Sequence, residues 1–133
     1  MILERVNKIM KTGIHHFASV FEATPTQTQI HIRLESDKLV FKMAHNWVPK
    51  LQVTFKEIMQ KTIDIFQYES LATPYLKKSL ILFAEEKGLA VENVSAFIHE
   101  QSNGNLIISF YNKGSFLEQL PLSKQLEKLG ITF

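Results

Sequence analysis

Strict alternation of apolar and polar positions marks the first clear element of this chain. Ile30, Ile32 and Leu34 alternate with Gln29, His31, Arg33 and Glu35, and Leu39, Phe41 and Met43 resume the same period downstream. A period of two puts one set of side chains on each face of a strand. With Ser36-Asp37 as a two-residue turn, Leu34 faces Leu39, Ile32 faces Phe41 and Ile30 faces Met43, while Glu35 faces Lys38. Every inward pair is then apolar and the pair at the turn is oppositely charged, so the spacing predicts a hairpin.

A second hairpin is expected around Asn103-Gly104, a pair suited to the positive φ angles of a type I′ turn. A two-residue turn there sets Gln101 against Leu106, His99 against Ile108 and Phe97 against Phe110 on one face. The other face sets Glu100 against Ile107, Ile98 against Ser109 and Ala96 against Tyr111. This ribbon is apolar on both sides, and something must cover each.

Between and around the hairpins the period lengthens. Leu3, Val6, Met10, Gly13, Phe17 and Val20 follow three- and four-residue steps, which place them on one helical stripe. Gly13 allows a break at Thr12 with a strand from Ile14, but one helix to about Glu22 fits the stripe better. Thr54 and Glu57 have capping-box spacing ahead of Phe55, Ile58, Met59, Thr62, Ile63 and Phe66 on one face. Thr73 as N-cap, Pro74 at the first helical position and Gly88 past the end bracket a further helix with a wide apolar surface. A short helix from Pro121 or Leu122 to Leu129, closed by Gly130, ends the pattern. Val48-Pro49 reads as a loop. Ser115 and Glu118 also have capping-box spacing, which Pro121 cuts short.

The expected architecture is α+β: an antiparallel sheet from residues 28–44 and 94–112, built from two β-hairpins with amphipathic helices packed on one face, in the order α-ββ-α-α-ββ-α. The 133 residues suit a single domain spanning 1–133, and no sequence repeat or low-complexity linker divides them.

Composition narrows the setting. There are no cysteines, which removes disulfides and thiolate chemistry and fits a cytoplasmic protein. The longest apolar run, Leu80 to Ala84, is far short of the roughly 20 residues of a membrane span. The net charge of +2 is small, and only Arg5 and Arg33 are arginines among 15 cations. Bidentate phosphate and base recognition favours arginine, so this balance argues against dedicated nucleic-acid reading.

No glycine-rich phosphate loop, metal-ligating helix or nucleophile elbow is present, so no catalytic residue, cofactor or metal is expected. His15-His16 are neighbours that point about 100° apart on a helix and cannot easily share a metal. His31, Arg33 and Lys42 form a cationic strip on the polar face of the first hairpin, but Phe41 points the other way, away from where base stacking needs an aromatic. His99 lies among apolar neighbours, and with Tyr111, or His45 with Trp47, it is a candidate for the mouth of a ligand cavity between sheet and helices. The leading expectation is a non-catalytic interaction protein, a homodimer or a partner of another protein, with Ile98, Ile107 and Tyr111 on an outer apolar face and Trp47 as a loop anchor.

Overall fold

The computed structural model describes residues 2–59 and 65–129. Its centre is a six-stranded antiparallel sheet in the order β3-β2-β1-β4-β5-β6. The strands are β1 (Thr28–Glu35), β2 (Lys38–His45), β3 (Val48–Val53), β4 (Val94–Glu100), β5 (Leu106–Asn112) and β6 (Ser115–Pro121). The helices are α1 (Ile2–Val20), α2 (Phe55–Met59), α3 (Ile65–Lys87) and α4 (Leu122–Lys128). The α+β class with helices on one face is as expected.

The first hairpin has the register its alternation predicts. Ile30 pairs with Met43, Ile32 with Phe41, Leu34 with Leu39 and Glu35 with Lys38. Ser36 and Asp37 take φ of 47° and 68°, the doubly positive turn that a right-twisted two-residue hairpin demands. The same turn recurs at Asn46-Trp47 and at Lys113-Gly114, where it starts two strands that the pattern did not announce. Residues read as a loop at Val48-Pro49 form β3, and the Ser115 capping-box stretch forms β6. Both are edge strands, exposed along most of their length. An edge strand needs neither an alternating core face nor an N–H at every position, so proline is tolerated there.

The second hairpin differs from expectation by one residue. Glu100 pairs with Leu106, Ile98 with Ile108, and Ala96 with Phe110. The connection is longer than two residues: Gln101 N–H donates to Asn105 O at 2.9 Å and Gly104 N–H to Gln101 O at 2.8 Å. Only Gly104 is left-handed, with φ of 87°; Asn103 is not. This is the three-residue loop in which glycine takes the last, left-handed position. A one-residue slip turns a whole strand over. Ile98 therefore does not lie on the outer face: it is fully buried against the helices, and Ile107 and Tyr111 share the opposite face with Phe97 and His99.

α1 is one unbroken helix through Gly13, as the stripe predicts. The Thr54 capping box starts α2: Thr54 N–H donates to Glu57 Oε1 and Glu57 N–H to Thr54 Oγ1, both at 3.1 Å. Residues 60–64, which the sequence reading carries within that helix, and Gly130, its closing residue for the last one, lie outside the described residues. α3 overturns the bracket at Thr73-Pro74. It runs through Pro74 from Ile65, and Thr73 Oγ1 is buried with no hydrogen-bond partner among the described residues instead of capping. It closes as expected at Gly88, with Leu89 N–H donating to Ala84 O at 2.8 Å.

The core lies between the sheet and the helices. Ile30, Ile32, Met43, Ile98, Ile108 and Phe110 meet Met10, Ile14, Ile58, Leu76, Leu80 and Leu126 there, all at 0% exposure. Phe110 and Phe83 stack with ring centroids 4.1 Å apart.

The element order repeats although the sequence does not. Each half runs through a helix, one turn of 3-10 helix, a three-stranded meander and a short helix. Each meander has a two-residue turn between its last two strands, and each skips one residue in the register just beyond it, Lys50 in β3 and Leu117 in β6. The halves join by antiparallel pairing of β1 with β4, centred on His31 opposite Phe97.

Candidate functional site

Three rows of side chains cross the face of the sheet that points away from the helices. Pairing from β2 through β5 gives Ala44, Gln29, His99 and Ile107 in one row, Lys42, His31, Phe97 and Ser109 in the next, and Val40, Arg33, Ser95 and Tyr111 in the third. β6 extends them with Pro121, Gln119 and Phe116. The β1–β4 seam thus brings the cationic strip of the first hairpin onto the same face as the aromatics of the second.

Those aromatics form one connected band. Trp47 folds back from the β2–β3 turn and meets His99 edge-on at 4.7 Å between ring centroids and Phe97 at 5.5 Å. Phe97 touches His31 at 4.9 Å and Tyr111 at 5.4 Å, and Tyr111 reaches Phe116 at 5.6 Å. Edge-to-face geometry at these separations is favourable for ring quadrupoles. The rings cover one another, so Phe97 and His31 are buried, and Ile107 on the same face is buried too. The ends of the band stay open: Trp47 is 45% exposed and Phe116 54%. Val48 and Leu51 on β3, opposite His45 and Met43 and so on the helix side, and Leu117 at the register skip in β6 are also exposed.

Polar groups lie within this band. Trp47 N–H donates to the side-chain Oε1 of Gln29 at 2.8 Å, which ties the turn to β1. Gln29 Nε2 and His31 Nδ1 are buried with no hydrogen-bond partner among the described residues. Burial, then the charges of Lys42 and Arg33, hold the His31 pKa down at about 4, so the ring is neutral at pH 7. Burial also lowers His99 and raises Tyr111. His99 Nε2 lies 2.8 Å from Ser109 Oγ, and that hydroxyl donates to Gln119 Oε1 at 3.4 Å. On this arrangement the imidazole is the donor to Ser109, the reverse of a histidine activating a serine. Glu100 cannot orient His99, because it points to the helix side, where His15 Nε2 lies 2.9 Å and Lys11 Nζ 3.5 Å from its carboxylate.

The sequence-predicted residues therefore divide. Ile107, Tyr111, Trp47, His99, His31, Arg33 and Lys42 share one face, and Ile98 belongs to the core. His99 faces away from the helices, so it does not line a sheet–helix cavity. His45 separates from Trp47: its ring stacks on Phe21, just past the end of α1, centroids 6.1 Å apart, on the helix side. Arg33 Nε is 3.5 Å from Glu35 Oε1. Sequence reasoning placed Gln29 with His31, Arg33 and Lys42 but missed Phe97, Ser109 and Phe116 as members of this face. The doubly apolar pattern of β4 and β5 carried the signal for Phe97, but it pointed to the right face only with the correct register.

Among the described residues, no three His, Asp or Glu side chains come close enough to hold a metal ion, and no helix is long and apolar enough to cross a membrane. No protein-family model, curated protein or solved structure matches this chain.

Proposed function

We propose that this chain is a non-catalytic interaction protein that self-associates as a homodimer through the helix-free face of its second meander. The observation that carries the reading is the pair Phe116 and Leu117, adjacent on edge strand β6 and 54% and 44% exposed. Phe116 continues the apolar surface of Tyr111 and Phe97, and Leu117 follows it at the register skip, so large apolar side chains gather at one margin of the sheet. An apolar strand with an unpaired edge is a template for another chain. The opposite edge gives the contrast. At the equivalent bulge β3 carries Pro49 and Lys50, two residues that discourage edge pairing, where β6 carries Phe116 and Leu117. A twofold dimer would bury this patch against its own copy. Ile107 and Tyr111 belong to the proposed surface and Trp47 stands at its far rim. A cytoplasmic setting accompanies the proposal, on the absence of cysteine.

Analytical ultracentrifugation at micromolar concentration tests it. The expected result is a species of twice 15.3 kDa for the unaltered chain and a folded monomer for Phe116→Glu with Leu117→Lys. A monomeric unaltered chain, or a dimer indifferent to both substitutions, overturns the proposal.

One observation favours a second reading, binding of single-stranded nucleic acid by His31, Arg33 and Lys42: Trp47, Tyr111 and Phe116 share their face, and stacking aromatics beside cations are what such a surface uses. Against it, His31 is neutral, the Phe97 ring is covered, and Arg33 already has Glu35. An oligonucleotide affinity that does not fall steeply with salt removes this reading.

A further inference from the structure

We propose that the groove between α1, the β4–β5 loop and the start of α4 binds a small organic phosphate carrying at least two negative charges. The groove encloses about 620 Å³, within the usual range for ligand pockets. Lys8 and Lys11 enter it from one side, three residues apart and so on one face of α1; Lys124 enters from α4 opposite. Among the described residues no carboxylate lines it. Its remaining polar lining is Asn7, Gln101, Asn105 and Ser123, neutral groups that can donate to phosphate or ester oxygens, over an apolar floor that includes Leu106.

The nearest acid explains how the cations are arranged. Glu100 is 7% exposed and sits behind Lys11, 3.5 Å from its Nζ, while His15 takes the same carboxylate at 2.9 Å. A buried carboxylate thus anchors one ammonium at the back of the groove. Among the described residues Lys124 has a long exposed contact with Glu127, 3.8 Å, a kind of pair worth little in water. Lys8, Lys11 and Lys124 together line one concavity with only Glu100 and Glu127 against them, so the groove keeps a positive excess that a multivalent anion would balance. Lysines act on phosphate as point charges and need no planar fork, so the scarcity of arginine does not count against this site. The groove meets the helix-free face only at Ile107 and Pro121, and the inference does not depend on self-association.

Titration of the full chain with inorganic pyrophosphate, and separately with ADP, at constant ionic strength tests it by calorimetry and by amide chemical shifts. The expected result is saturable binding of pyrophosphate that moves the amides of Gln101, Asn105 and Ser123. Lys8→Gln with Lys124→Gln should weaken it by about tenfold or more, while Lys78→Gln on α3 leaves it unchanged. Tighter binding of ADP than of pyrophosphate would support an ester as the ligand. The variant with Phe116→Glu and Leu117→Lys should bind as the unaltered chain does, which separates this site from the proposed interface. No saturable binding of either probe, shifts scattered over unrelated lysines, or equal affinity in the Lys8/Lys124 variant would overturn the proposal. So would binding of an oligonucleotide through these lysines when neither small probe binds.

Discussion

A single methyl group at Gly13 tests the packing of the first helix on the second. A Cβ added there would stand 2.7 Å from Ile58 Cγ2 and 3.1 Å from the Ile58 carbonyl oxygen. On an exposed helix, glycine to alanine stabilises by about 1 kcal/mol, because it lowers the entropy of the unfolded chain. Here Ile58 is fully buried, and its carbonyl belongs to the backbone of α2, so neither can retreat cheaply. Overpacking of this kind costs about 1–3 kcal/mol. Subtracting the propensity gain leaves Gly13→Ala destabilised by up to about 2 kcal/mol, and a chain of this length loses about 4 °C of Tm per kcal/mol. Urea unfolding followed by far-UV circular dichroism measures it, on Gly13→Ala, Ile58→Leu and the double variant. Leucine keeps the volume but has no methyl branch at Cβ, and alone should cost less than about 1.5 kcal/mol. In its presence Gly13→Ala should lose much of its penalty, with a coupling of about 1 kcal/mol or more. A stabilised Gly13→Ala single variant would refute the close approach of α1 and α2, and a coupling under about 0.5 kcal/mol would refute the assignment of the clash to the Ile58 methyl.

The remaining predictions concern charge and the third helix. The pKa of His31 is about 4 when folded against an ordinary 6.5, so the unfolded chain takes up the proton first. Stability is complete above about pH 6.5 and declines as pH falls towards about 4, by an amount on the order of 2 kcal/mol after allowance for solvent screening. His31→Gln should flatten the fall of Tm between those pH values, leaving the smaller slope from His99, which is lowered in the same direction; an unchanged slope would contradict the burial of His31. Pro74 lies inside α3 without an N–H to donate, so Pro74→Ala should restore a backbone donor and raise Tm by the equivalent of about 1 kcal/mol or more. A lower Tm would mean that proline opens a helix there.

Legibility in the sequence followed locality. The Ser36-Asp37 hairpin could be read because its six apolar partners sit within fourteen consecutive residues and every pair agrees with the turn. Asn103-Gly104 misled because the dipeptide permits a tight turn without requiring one; Gln101 and Asn105 close a wider loop, and the slip exchanges Ile98 for Phe97 on the outer face. Strands β3 and β6 lacked alternation because an edge has less to bury. Pro74 resembled a helix start since local rules favour proline there, and tertiary burial of Ala72, ahead of the proline, went against them. The aromatic company of His31 was invisible for a different reason. Its nearest ring, Phe97, lies sixty-six residues away in the chain, and only the β1–β4 pairing reveals it.

That pairing also has a kinetic meaning. Each meander closes short loops, a few residues at a time, whereas the seam must bring Gln29 to His99 across seventy positions. The entropy of closing so long a loop falls due before any of the seam's bonds is formed. Assembly of the sheet is therefore limited by the meeting of two preorganised halves, and hydrogen exchange during refolding should protect the β2 and β5 amides before those of β1 that point across the seam.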